Sequence, residues 1–327
     1  MPVKITIIGL GQIGGSIGLS LAEHKDKVLI TGHDKEFGIE QKAKKLGAVT
    51  ETNHNLPDSV ENADLVILAL PVDQIRETLG FIAKDLRKDV VIMDTSPVKA
   101  EVLKWVQEIL PDTAHYIGVV PAIGPEYMSL SGSGLDSAKP DLFKKGIFFV
   151  STSSGAPGAA LKLITDLVEL LGSSTVLTDF VESDGLMAAT HILPRLTSAA
   201  LVNAATNLPG WVEMRKAAGR GFYAATSAFE ADEIGALAML ASQNREGAIR
   251  SVNALMNALL DLREDLEKAD DESLRKRLLS AQEGRDTWVF ERGQADWTHV
   301  PASNVERPSL IQSLFGVNFG KSGKKKN

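Results

Sequence analysis

The chain has 327 residues, 44% of them hydrophobic and 24% charged, the proportions of an ordinary globular protein long enough for two domains. It contains no cysteine, which excludes disulfides, thiolate metal sites and a cysteine nucleophile. A net charge of −7 and an aromatic content of 6% argue against general nucleic-acid binding.

In chain order, strands are expected at 4–8, 28–32, 65–70, 90–94, 115–120, 146–151 and 174–178. Most are continuous apolar runs without in/out alternation, which points to a parallel sheet covered on both faces. Helical patterns at 14–24, 38–46 and 159–171 lie between them. This alternation predicts an α/β doubly wound parallel sheet over residues 1–179. The opening segment runs from an apolar stretch straight into a glycine turn, so it reads as a strand rather than a cleavable signal. The densest apolar run, 65–72, is far shorter than the ~20 residues of a membrane span. A soluble, cytoplasmic protein is expected.

The pattern changes near Asp179. Residues 186–207 form one long apolar helical pattern, with Pro194 expected to kink it. Residues 234–267 and 271–290 form two more, the last opened by Asp270, Asp271 and Ser273. An all-helical domain is therefore expected over 180–300. Its first helix is apolar almost all round, which implies burial between partners or at a subunit interface, and a homodimer through this domain is expected. The basic segment within 301–327 reads as a solvated tail.

The strongest motif is Gly9-Leu10-Gly11-Gln12-Ile13-Gly14, between a strand and a helix. Gly9 permits the tight turn, Gly11 lets backbone approach a pyrophosphate, and Gly14 allows close helix–strand packing. Asp34 ends the second strand, 20 residues after Gly14, where a carboxylate can bind adenosine ribose hydroxyls and repel a 2′-phosphate. This is the signature of a Rossmann dinucleotide-binding domain, and NAD is favoured over NADP. Gln12, Ile13, Leu70 and Pro71 are further candidates for the cofactor site. Ligands in such sheets bind beyond the strands' carboxyl ends, which places Ser96 and Lys99 near the nicotinamide.

These residues resemble the prephenate and arogenate dehydrogenase family of tyrosine biosynthesis over roughly residues 3–290. The segment Ile7–Ser16 is similar to its first strand and helix. Asp94 and Lys99 match its Asp-x-x-Ser-Val-Lys turn, and Gly118, Pro121 and Gly124 its Gly-Gly-His-Pro-Met-Ala-Gly loop. Leu193 and Pro194 match its Ser-His-Leu-Pro-His helix. Gly219, Gly221 and Phe222 match its glycine-phenylalanine turn, and Asn244-Arg245 a later helix pair. The resemblance implies a cofactor domain, a helical dimerisation domain, and oxidative decarboxylation of prephenate or arogenate with hydride transfer to NAD.

By the same resemblance, several chemical positions depart from the family. The loop histidine aligns with Val120, its supporting serine with Pro97, the helical histidines with Ile192 and Arg195, and the carboxylate-binding arginine with Ser227. His191 is one residue off, about 100° around an α-helix. Ser96, Lys99, His191 and Arg195 are the catalytic candidates. Tyr127, Glu126 and Tyr223 are further possible proton carriers. A small hydroxy acid is the expected substrate. The alternatives are a dinucleotide-binding sensor without dehydrogenase activity and an NAD(P)H-dependent reductase. The histidines at 24, 33, 54, 115, 191 and 299 show no paired spacing with carboxylates on one helix face, so no metal site is expected.

Overall fold

The computed structural model describes residues 2–130, 132–153, 155–229 and 234–295. The expected tail at 301–327 lies outside them. Eight strands form one sheet: β1 (Val3–Ile8), β2 (Val28–His33), β3 (Glu51–Thr52), β4 (Leu65–Leu68), β5 (Val91–Asp94), β6 (His115–Ala122), β7 (Ile147–Thr152) and β8 (Ser174–Thr178). Their order is β3-β2-β1-β4-β5-β6-β7-β8. The helices among them are α1 (Gln12–Leu21), α2 (Phe37–Leu46), α3 (Leu56–Val60), α4 (Val72–Ile82), α5 (Ala100–Ile109) and α6 (Gly158–Leu170).

The doubly wound architecture is present, and side-chain alternation shows why its strands read as unbroken apolar runs. Leu65 and Ile67 enter one core, with Ile5, Ile7 and Phe148. Val66 and Leu68 enter a second, with Ile8, Ile75 and Ile92. Both faces are therefore dry, and apolar residues are needed at every position.

The last two strands, β7 and β8, run against the other six and so depart from the expected parallel sheet. β7 runs antiparallel to β6, while β8 is again parallel to β7. A parallel pair needs a crossover element that spans the sheet. Among the described residues of 123–146 the only regular elements are the short 3₁₀ turns Pro125–Tyr127 and Leu135–Ser137, so the chain returns at the end where it left. This segment folds over α1: Lys139 N–H donates to Ser16 Oγ at 2.9 Å, and Gly15 leaves room for Leu135 and Ala138.

After β8 the described chain is helical: α7 (Phe180–Met187), a π-helical turn (Ala188–Ile192), α8 (Leu193–Thr206), α9 (Trp211–Ala217), α10 (Arg220–Thr226), α11 (Ile234–Gln243), α12 (Arg245–Glu267) and α13 (Asp271–Gln294). Asp179 starts α7 by accepting Glu182 N–H at 2.7 Å, and Asp270 starts α13 by accepting Ser273 N–H at 3.0 Å.

Two of the long helical patterns are subdivided. The helical run that contains Pro194 is irregular just before it, in the π turn Ala188–Ile192, and Pro194 itself lies in the first turn of α8. Residues 234–267 are two helices, broken at Asn244, whose amide donates to Asp184 O at 2.6 Å. Within the single chain, Ser198 is the only buried residue of α8. Among the described residues no helix is long and apolar enough to cross a membrane.

The helical region is anchored on the sheet. Ile192, Leu240 and Ala248 join the second core beside Val98, Val102 and Phe180.

Candidate functional site

The sheet order reverses between β1 and β4, and the glycine turn lies at this switch point, beyond the ends of both strands. Gly9 has φ +91°, and a Cβ there would stand 2.5 Å from Ala69 O. A Cβ on Gly14 would stand 2.0 Å from Gly9 O. At Gly11, by contrast, no atom lies within 4 Å of where a Cβ would be. Two glycines thus close the turn against its neighbours, and the third leaves a space facing outward. α1 begins at Gln12 with no side-chain cap, so its first N–H groups and positive dipole end suit an anion. Gln12 Nε2 reaches Ser137 O at 3.4 Å, and Ile13 packs partly buried on the first core.

Asp34 follows β2 directly. Its carboxylate accepts Leu10 N–H at 2.9 Å and Glu36 N–H at 3.0 Å, tying the second strand's end to the glycine turn. Leu70 Cδ2 presses on Gly9, at 2.8 Å from the position a Cβ would take. Pro71 is exposed at the start of α4. The fold therefore gathers Gly9, Gly11, Gln12, Ile13, Gly14, Asp34, Leu70 and Pro71 at one end of three strands. This set fits a dinucleotide: open space at Gly11, an uncapped helix start, and a carboxylate one strand away.

Ser96 and Lys99 lie beyond β5 as expected, but they face inward, which corrects their placement beside a reactant. Lys99 and Asp94 side chains are both fully buried. Lys99 Nζ donates to the Asp94 carboxylate at 2.6 and 2.7 Å. Ser96 Oγ and Tyr116 OH each donate to the same carboxylate at 2.6 Å. Burial lowers the Lys99 pKa, and the Asp94 charge and hydrogen bond oppose that shift. Burial and the Asp94 charge push the Tyr116 hydroxyl well above its usual value. A Cβ on Gly118 would stand 2.7 Å from Lys99 Cδ, so glycine is what gives the lysine stem its channel.

This buried pair is joined to the helical region by Asp184, which the sequence reading missed. From α7, Asp184 accepts Lys99 N–H at 2.6 Å and Ala100 N–H at 3.2 Å, capping α5. Burial raises its pKa, although these N–H bonds work in the opposite direction. The sequence signal for this joint was Asn244, the break before α12 that holds the Asp184 carbonyl.

His191 lies in the π turn and Arg195 in the first turn of α8. Both are half-buried. Burial, and secondly the nearby Arg195 guanidinium, hold the His191 imidazole down at about 4. A π turn inserts one residue into the helical phase, so an α-helical wheel misplaces His191. Tyr127 donates to Asp141, and this hydrogen bond, more than burial, raises its hydroxyl to about 12. Glu126 is exposed, Tyr223 is 77% exposed, and Val120 is buried in β6.

A second feature escaped the sequence reading. Glu40, fully buried in the first turn of α2, accepts Asp34 N–H at 3.0 Å and faces the rings of His54 and His33 at 3.1 and 3.5 Å. The three residues come from three elements, so no single-helix spacing reveals them.

The fold and the glycine site together define a nucleotide-binding protein of the doubly wound α/β class. Residues 17–177 match the family model described as prephenate dehydrogenase, nucleotide-binding domain. Cyclohexadienyl dehydrogenase of Zymomonas mobilis is 29% identical over 198 residues, covering 61% of this chain and 66% of that protein. Prephenate dehydrogenase of Bacillus subtilis is 26% identical over 204 residues, covering 62% of this chain and 54% of that protein. These matches thus span less than two thirds of either relative. Among solved structures, Aquifex aeolicus prephenate dehydrogenase with hydroxyphenyl propionate and NAD+ superposes with a TM-score of 0.77 at 23% identity, covering 88% of this chain and 98% of that one. Synechocystis arogenate dehydrogenase gives 0.71 at 21%, covering 88% and 100%. Residues 17–177 thus resemble the nucleotide-binding domain of prephenate dehydrogenases.

Proposed function

We propose that the chain is an NAD-dependent dehydrogenase of the prephenate/arogenate type, oxidising a small hydroxy acid. The observation that carries this reading is the glycine turn, with Gly11 open at the switch point and Asp34 tied to Leu10 beside it. The family resemblance supplies the reaction, oxidative decarboxylation of prephenate or arogenate in tyrosine biosynthesis, and the relatives' names, cyclohexadienyl and prephenate dehydrogenase, support it. Residues 1–179 would hold the dinucleotide and residues 180–300 the substrate.

In this reading the α1 N-terminus and the Gly9–Gly14 turn bind the pyrophosphate, and Asp34 takes the ribose hydroxyls. The Asp34 carboxylate repels a 2′-phosphate, so NAD is preferred to NADP. When bound, the nicotinamide supplies the hydride acceptor. Arg195 holds a substrate carboxylate. His191, neutral at physiological pH, accepts a hydrogen bond from the hydroxyl whose carbon is oxidised. A positioned proton acceptor is worth about 10²–10⁴ in rate. The Asp94–Lys99 pair and Asp184 keep α5 and α7 in register, as positioning residues.

A homodimer through the helical region goes with this reading. Met256, Leu259 and Leu260 on α12, and Leu278 and Leu279 on α13, are each more than half exposed. This exposed apolar surface supports an association face there.

Val120, an apolar side chain where the family resemblance expects histidine, favours a second reading as a dinucleotide-binding sensor. One experiment separates the two: purified protein with NAD and either prephenate or arogenate, followed by the absorbance of reduced nicotinamide. Saturable turnover supports the dehydrogenase. Absence of turnover, with NAD binding demonstrated in the same sample, rejects the prephenate or arogenate reaction and leaves a changed substrate or the non-catalytic sensor.

A further inference from the structure

The described residues contain one group of three imidazole and carboxylate ligands able to share an ion: His33, Glu40 and His54. We propose that they form a binding site for a divalent transition-metal ion of the zinc class, beside the nucleotide site and separate from its chemistry. His33 is the last residue of β2, Glu40 sits in the first turn of α2, and His54 follows β3 by two residues. One ligand atom from each lies within 4.8 Å of the other two. Glu40 Oε1 is 3.1 Å from His54 Nδ1 and 3.5 Å from His33 Nδ1. Bonds of about 2.0–2.1 Å to a tetrahedral ion separate its ligand atoms by roughly 3.3 Å, so the spacing needs little adjustment.

A second observation points to a ligand. Glu40 is fully buried, yet its Oε2 has no hydrogen-bond partner. A buried carboxylate oxygen left unmatched is costly, and a cation held by both Glu40 oxygens would satisfy it along with Oε1, the oxygen that faces the rings. Two nitrogens and one carboxylate suit zinc and its neighbours rather than calcium or magnesium, which prefer oxygen ligands. The His54 side chain is 52% exposed, which gives an ion an entry path and leaves a coordination position open to water. Without an ion, His54 Nδ1–H donates to Glu40, and His33 Nδ1–H donates to Asn53 O at 3.0 Å. Ion binding needs both rings in the tautomer protonated at Nε2. The hydrogen bond to Asn53 is then exchanged for a metal bond. Because Glu40 also accepts Asp34 N–H, an ion here would fasten the loop that carries the ribose carboxylate.

The test uses full-length protein stripped with chelator, titrated with Zn(II) by calorimetry and with Co(II) by visible absorption. One equivalent is expected to bind, with the intense bands of low-coordinate Co(II). His54→Ala should weaken binding by at least about 10-fold, since loss of even an outer-shell partner commonly costs that much. Glu40→Gln should do the same. Because Glu40 is buried and its variant could unfold, His54→Ala, at a half-exposed side chain, carries the decision. His24→Ala should bind as the unsubstituted protein does. Absence of stoichiometric binding, or binding that His54→Ala leaves unchanged, would overturn the proposal and leave the cluster as a hydrogen-bonded triad.

Discussion

Lys99 Nζ sits 2.6 and 2.7 Å from the two carboxylate oxygens of Asp94, with neither side chain exposed to solvent. Such a pair is costly to bury but far costlier to break, because the survivor is left charged in a dry core. Lys99→Met and Asp94→Asn should each destabilise the protein by roughly 3–5 kcal/mol. The double variant should lose less than the sum of the two. Denaturant unfolding of all three measures this. Additive losses would mean that the two groups do not act as a pair.

Gly11 and Gly14 should fail differently when changed to alanine. The Gly14 Cβ would meet Gly9 O at 2.0 Å, so the turn must distort, and the melting temperature should fall together with NAD affinity. The Gly11 Cβ meets nothing within 4 Å, so Gly11→Ala should melt normally but bind NAD at least about 10-fold more weakly, roughly 1.4 kcal/mol. Calorimetric titration with NAD, alongside thermal melts, distinguishes the two.

Asp34 should set the choice of dinucleotide. Asp34→Ser removes the charge opposed to a 2′-phosphate, and also the carboxylate that accepts Leu10 and Glu36 N–H. NAD affinity should drop and NADP affinity rise, so that the preference narrows by about 10-fold or more. Equal losses for both dinucleotides would show that Asp34 only shapes the turn.

His191 predicts a pH dependence of stability. Its imidazole lies at about 4 in the folded chain against an ordinary 6.5, so between these values the unfolded chain binds more protons. The stability due to neutral His191 is complete above pH 6.5 and is lost progressively as pH falls to about 4. The contribution is on the order of 2 kcal/mol, allowing for the ring's partial exposure. His191→Gln should flatten this part of the profile. An unchanged slope between pH 4 and 6.5 would place the titration elsewhere.

The apolar face of α12 and α13 should hold two copies together. Sedimentation of the full chain is expected to give a dimer, and the pair Leu259→Glu and Leu279→Glu a monomer. A chain that sediments as a monomer before substitution would refute this role for the face.

The glycine turn and the acid beside it, the candidate nucleotide site, were legible along the chain, because they follow one another within the first 34 residues. A strand, three glycines, a helix and an acid at the next strand's end are local features, each with its own steric or charge requirement. The doubly wound sheet was legible for a similar reason: strands buried on both faces must be apolar throughout. β7 was not, since direction within a sheet depends on where the connecting segment lies, and residues 123–146 fold over α1 instead of crossing the sheet. Nor did the sequence show that Lys99 faces inward, because a lysine after a strand reads alike in either direction. Its orientation follows from Asp94, Tyr116 and the space left by Gly118.

The sequence by itself therefore determined the class of fold, the glycine turn and the placement of Asp34, all set by short-range sterics and burial periodicity. The tertiary structure alone decided which charged groups meet. Asp94 with Lys99, Asp184 with the start of α5, and Glu40 with His33 and His54 are pairings between separate elements. Their spacing in the chain carries no trace of their distance in space, because closing the intervening loops is determined by packing of the whole core.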